Sequence, residues 1–154
     1  MHRFIFNVFI LSGCLFVYQG AFAQTINTLQ DLTFGEAVLT DNSAPREILL
    51  NEDGSFSSDS QYLFVTNPQP GIYEVTGQTP STAITSVTMT VIANPNATGR
   101  EFTIDNFDID HPAATDGAGE ATIRVGARLQ SSGNGTTYPA STTFNGTLQL
   151  TVNY

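Results

Sequence analysis

The chain has 154 residues with fourteen acids against five basic side chains, all of them arginine, for a formal net charge of −9. Such a surface repels nucleic acid and anionic lipid, so neither is expected as a partner. Lysine and tryptophan are absent, and the one cysteine, Cys14, excludes a disulfide framework.

Met1 to Arg3 is a weakly basic start, Phe4 to Val17 is almost wholly apolar, and Ala21-Phe22-Ala23 gives a small-x-small site before Gln24. The pattern predicts a secretory signal peptide over residues 1–23, cut between Ala23 and Gln24, and hence export from the cytoplasm. The apolar run is shorter than the roughly 20 residues a spanning helix needs, and no second run follows, so no membrane span is expected. Leu11-Ser12-Gly13-Cys14 has the form of a lipobox, which would anchor the chain through Cys14. Leu15-Phe16-Val17 continues the apolar run past that cysteine and argues against it. The mature chain is then one domain, residues 24–154, with four arginines against fourteen acids, a net charge of −10. It has no cysteine and must be held by its core alone.

Strand signals run through this domain. Ile26 to Phe34 opens it, with Leu32 and Phe34 alternating. Ile48 to Leu50 is short and apolar, and Asp53-Gly54 behind it is a tight-turn dipeptide. Tyr62 to Val65 is apolar on both faces and is expected to lie deep. Ile72 to Thr76 follows Pro70-Gly71, and Val87, Met89 and Val91 alternate with polar residues. In Glu101 to Ile109, Phe102 and Ile104 share a face that Phe107 and Ile109 keep only if one residue slips, which predicts a bulge near Asp105-Asn106. Glu120 to Leu129 places Ala121, Ile123, Val125, Ala127 and Leu129 on one face and Thr122, Arg124, Gly126 and Arg128 on the other. The last strand places Phe144, Gly146, Leu148, Leu150, Val152 and Tyr154 on one face, with polar residues between them. No helix is expected. Parallel strands would need long crossovers, so the fold class is all-β: an antiparallel, immunoglobulin-like β-sandwich of about eight or nine strands.

Chemistry-bearing residues are few. Asp105, Asp108, Asp110 and His111 crowd one strand end, with Asp116 in the next loop. Asp105, Asp108, Asp110 and Asp116 are a weak calcium candidate, against which stand the lack of EF-hand spacing and the default of a solvated acidic face. His111 is the only histidine after residue 23, there is no Gly-x-Ser-x-Gly elbow, and one histidine without cysteine does not make a zinc centre. No catalytic residue, cofactor or enzyme activity is expected. Arg124 and Arg128 are expected to pair across strands with acids such as Asp108 or Asp110. Gly126 and Gly146 mark places of close backbone or ring approach. Asn96-Ala97-Thr98, Asn134-Gly135-Thr136 and Asn145-Gly146-Thr147 are formal glycosylation sequons, the last expected inside a strand.

Leu32-Thr33-Phe34-Gly35, Tyr73-Glu74-Val75-Thr76-Gly77, Gly119 to Leu129, Phe144-Asn145-Gly146 and the ending Leu150-Thr151-Val152-Asn153-Tyr154 resemble, in order and spacing, the bacterial family called domain of unknown function 4402. Family members more often have Tyr where Phe144 stands. The ending is also similar to pilins of chaperone–usher type and to spore-coat-U-like proteins. The resemblance implies a secreted, cell-surface or fimbrial, pilin-like β-sandwich, without activity or cofactor. A pilin donates an N-terminal strand to its neighbour. Here only residues 24–31 precede Leu32, roughly 26 Å when extended, a thin donor. Two alternatives stand: a complete sandwich, with purified mature protein running mainly as a monomer, or exchange of Thr25 to Phe34 between copies. The functional expectation is a structural surface subunit, pairing strands with itself or another subunit. The alternative is a binding module that recognises glycan or protein through Asn67 to Gly71, Ala93 to Arg100 and His111 to Gly119 at one end.

Overall fold

The structure, a computed structural model, describes residues 24–97, 100–138 and 142–154. The signal segment, the cleavage point after Ala23 and the Cys14 anchor lie outside the described residues. Among these, every regular element is a strand: β1 (Thr25–Gln30), β2 (Glu36–Leu39), β3 (Glu47–Leu50), β4 (Phe56–Ser58), β5 (Tyr62–Thr66), β6 (Gly71–Thr76), β7 (Ser86–Ala93), β8 (Asn96–Ala97), β9 (Arg100–Asp110), β10 (Ala121–Ser131) and β11 (Thr147–Asn153). All pair antiparallel. Among the described residues no helix is long and apolar enough to cross a membrane.

The cleanest alternation in the sequence becomes the spine of the first layer. One edge of β10 pairs with β6 over Ala121–Val125 and then with β3 over Ala127–Gln130. Its other edge pairs with β9. β1 extends the sheet beyond β6, and β4 extends it beyond β3. Paired on both sides, β10 buries Ala121, Ile123, Val125, Ala127 and Leu129. Gly126 sits where β10 changes partner from β6 to β3. A Cβ there would stand 2.6 Å from the carbonyl carbon of Asn51, so the close approach demands glycine.

The bulge in β9 is present. Asp105 faces Arg128 and Asp108 faces Gly126, three residues of β9 spanning two of β10. Asn106 absorbs the slip at φ +50, a conformation asparagine tolerates. Phe102 and Ile104 therefore pack on one core cluster, and Phe107 and Ile109 stay on the inner face as well.

The second layer is not one sheet. It consists of two ribbons, β7 with β11 and β2 with β5. The β7–β11 ribbon covers Val75, Ile123 and Val125 with Met89, Val152 and half-buried Leu148 and Leu150. Beside it, Phe34, Leu39, Tyr62, Phe64 and Phe144 gather over Ile48, Ala127 and Leu129. In β7 the extra residue opposite the Thr147–Leu148 step is Ile92, which points out of the core.

Two expectations are corrected. β5 does not lie deep: Leu63 is 57% and Val65 67% exposed, because only the inner face of a two-stranded ribbon is covered. The last strand begins at Thr147, so Phe144, Asn145 and Gly146 precede it. Phe144 packs instead on Phe102 and Tyr138, with ring centroids 5.0 and 5.4 Å apart, and Tyr154 is 37% exposed. The all-β antiparallel fold class holds, and among the described residues there are eleven strands, because β2, β4 and β8 are too short to show a period in the sequence.

Candidate functional site

The acids of β9 and the loop after it are drawn to three different places. Asp105 meets Arg128 in a two-toothed ion pair, Nε donating to Oδ1 at 2.7 Å and the terminal nitrogen Nη2 to Oδ2 at 2.8 Å. Arg128 also reaches Glu47 at 3.4 Å. The guanidinium holds the Asp105 carboxyl below the usual carboxylate range. The bulge makes this pairing: the register of Asp110 with Arg124 and Asp108 with Gly126 would bring Asn106 opposite Arg128, and the slip brings Asp105 there instead. Asp108 Oδ2 accepts the Glu52 main-chain N–H at 3.2 Å, and the hydrogen bond between the two side chains pushes the Glu52 carboxyl up.

Asp110 stands opposite Arg124 in the ladder, with no ion pair between them. Asp116 closes the β9–β10 loop on itself: its Oδ1 accepts from the N–H groups of Ala118 (2.8 Å) and Glu120 (2.9 Å). Those amides hold its carboxyl low, Glu120 foremost. His111 is half-buried, its Nδ1 2.9 Å from the Pro112 carbonyl oxygen. Asp105, Asp108, Asp110 and Asp116 therefore do not converge, and among the described residues no three His, Cys, Asp or Glu groups are placed to hold a metal. A shallow depression of about 260 Å³ lies beside this loop, lined by Glu74, Asp116 and Glu120.

The loops read as one recognition surface are divided. β9 runs from the end of the Ala93 to Arg100 loop to the start of the His111 to Gly119 loop. Eleven extended residues separate the two by roughly 33 Å, at opposite ends of the sandwich.

The second layer carries a stronger signal. Across β2, β5, β7 and β11 the only charged side chain is Glu36. The charges of the strands lie in the first layer: Glu47 on β3, Glu74 on β6, five on β9, and Arg124 and Arg128 on β10. Val38 pairs directly with Leu63, and Val65 follows two residues on, so three apolar side chains, each more than half exposed, share the outer face of β2–β5. Among the described residues each of the four second-layer strands has one ladder partner only, leaving an open edge apiece. Exposed edges are normally blunted by charge, proline or a strong twist. No proline and no lysine interrupts these four.

Sequence reading missed Asn42, which is buried although it lies in a loop. Its Nδ2 donates to Ser132 Oγ and to the Thr136 carbonyl, both at 3.2 Å. Its Oδ1 accepts the Gly133 N–H at 3.0 Å, and its carbonyl accepts Gly135 N–H at 2.7 Å. A single asparagine thus ties the β2–β3 loop to the turn after β10. Only the Asn-Ser-Ala-Pro composition hinted at a turn there.

Fold and surface together define an all-antiparallel β-sandwich with a charged layer, a layer whose strands carry Glu36 alone, and open strand edges. The chain belongs to the family described as Domain of unknown function (DUF4402), whose model matches residues 24–154. That agrees with the resemblance in the motifs from Leu32-Thr33-Phe34-Gly35 to the terminal tyrosine. No curated protein and no solved structure matches the chain.

Proposed function

We propose that this chain is an exported, non-catalytic structural protein of the bacterial cell surface, a pilin-like subunit that joins to a second copy by strand pairing along its uncharged layer. One observation carries the reading: a chain of net charge −10 over residues 24–154 keeps a single charge on four strands with open edges. Elsewhere two copies repel, and along this layer they do not. Ladder bonds and the cover of Val38, Leu63 and Val65 would then drive association. The leader-like pattern of residues 1–23 supports export.

Immunogold labelling of intact cells producing the chain tests this. Clustered or filamentous label outside the cell is expected. Label confined to the cytoplasm, or scattered singly over the surface, would sink the reading.

A further inference from the structure

The sequence has two Asn-Gly pairs, Asn134-Gly135 and Asn145-Gly146, and the structure treats them in opposite ways. Asn-Gly is the dipeptide in which the next main-chain nitrogen most easily reaches the asparagine side chain, because glycine offers no Cβ to obstruct it. At Asn134 both reacting groups are held. Its Oδ1 accepts from Thr136 N–H at 2.9 Å and from Asn42 Nδ2 at 3.4 Å, and Gly135 N–H is spent on the Asn42 carbonyl. Asn145 is exposed, and among the described residues neither its carboxamide nor the Gly146 N–H has a hydrogen-bond partner. Its place before β11, outside any ladder, is what leaves it free.

We propose that Asn145 is a site of spontaneous conversion to aspartate and isoaspartate in the folded protein, and that Asn42 protects Asn134 from the same fate. Hydroxide removes the Gly146 amide proton, and that nitrogen attacks Cγ of Asn145. The new N–Cγ bond forms as the Cγ–Nδ2 bond breaks, and ammonia leaves. Water then opens the cyclic imide at either carbonyl, giving aspartate or isoaspartate with no oxidant or reductant involved. The isoaspartate product adds one carbon to the main chain between the anchored Phe144 ring and β11. Either product puts a carboxylate at the head of a strand that has no charge of its own. The inference stands apart from the proposed function, since it needs only the two local geometries.

The full chain is incubated in warm, mildly alkaline buffer, folded in one series and in concentrated urea in the other. Peptide mapping by mass spectrometry, with enzymatic methyl labelling of isoaspartate, follows both sites. In urea Asn134 and Asn145 are expected to convert at similar rates. In the folded protein Asn145 is expected to convert while Asn134 stays intact. Equal conversion of the two in the folded protein overturns the proposal, as does an Asn145 that survives folded over the time it is lost in urea.

Discussion

Asn42 shows how one polar side chain can organise a loop that no apolar pattern would hold. Buried, it spends both its Oδ1 and its Nδ2 on the segment after β10, from Ser132 to Thr136. Asn42→Ala leaves the Gly133 N–H and the Thr136 carbonyl without their partner and should cost about 1–3 kcal/mol, read from urea unfolding. The carboxylates make a second prediction, in pH. Glu52 is raised because its side chain shares a hydrogen bond with that of Asp108, with burial and repulsion adding to it. A raised carboxyl stabilises fully below its unfolded value, and that contribution is lost as pH rises through the folded one. Glu52→Gln keeps a donor for Asp108 without ionising, so it should raise the melting temperature at neutral pH, with the gain vanishing in acid. Asp105 has the opposite sign. Held low by Arg128, it stabilises above the unfolded carboxyl value and loses that as pH falls through the folded one. Asp105→Asn should lower the melting temperature at neutral pH, with the deficit closing in acid. Melting curves from neutral to acid pH on the two variants check both signs.

The strands differ in how openly the sequence declares them, and β10 declares itself most. It pairs on both edges and has one buried face, so alternation and burial agree from Ala121 to Leu129 at every residue but Gly126, which is buried on the other face by the close approach of Leu50 and Asn51. Gly126 is part of the same design: Gly126→Ala drives a methyl into the main chain of Asn51 and should cost about 1–3 kcal/mol. Gly117→Ala meets nothing within 4 Å and should stay within roughly half a kcal/mol. Urea unfolding of the two variants compares them directly. The β9 bulge was legible for a related reason, since two in-phase apolar pairs, Phe102/Ile104 and Phe107/Ile109, are out of step by one residue. β2, β4 and β8 were not legible, because two to four residues cannot establish a period. β5 misled: Tyr-Leu-Phe-Val reads as a strand covered on both faces, but it lies in a two-stranded ribbon whose outer face is open. The acids after Asp105 looked like a cluster because they are near in sequence. The ladder and the β9–β10 loop turn them toward different partners, which spacing alone does not reveal.

At the scale of the molecule the telling feature is where the charge goes. A net charge of −10 over residues 24–154 describes the first layer and the loops and says nothing of the second, which carries Glu36 alone on its strands. Composition cannot show this, because the division depends on which strands share a layer. The same uncharged ribbons leave Leu148 and Leu150 only half-buried and Val38, Leu63 and Val65 outside. A sandwich of this kind gains from a strand laid along its second layer. A lysine placed on an open edge of the second layer opposes such pairing, whereas a lysine at Thr103 in the first layer, where Pro95 and Asn94 cover the Phe102 and Ile104 main-chain N–H groups, changes net charge equally. Sedimentation velocity over a concentration series compares wild type with Val65→Lys on β5, Gln149→Lys on β11 and the control Thr103→Lys on β9. The account predicts association of the wild type and of Thr103→Lys, lost in Val65→Lys or Gln149→Lys with unchanged circular dichroism. A wild type that stays monomeric at every concentration, or that associates undiminished in all three variants, would contradict it.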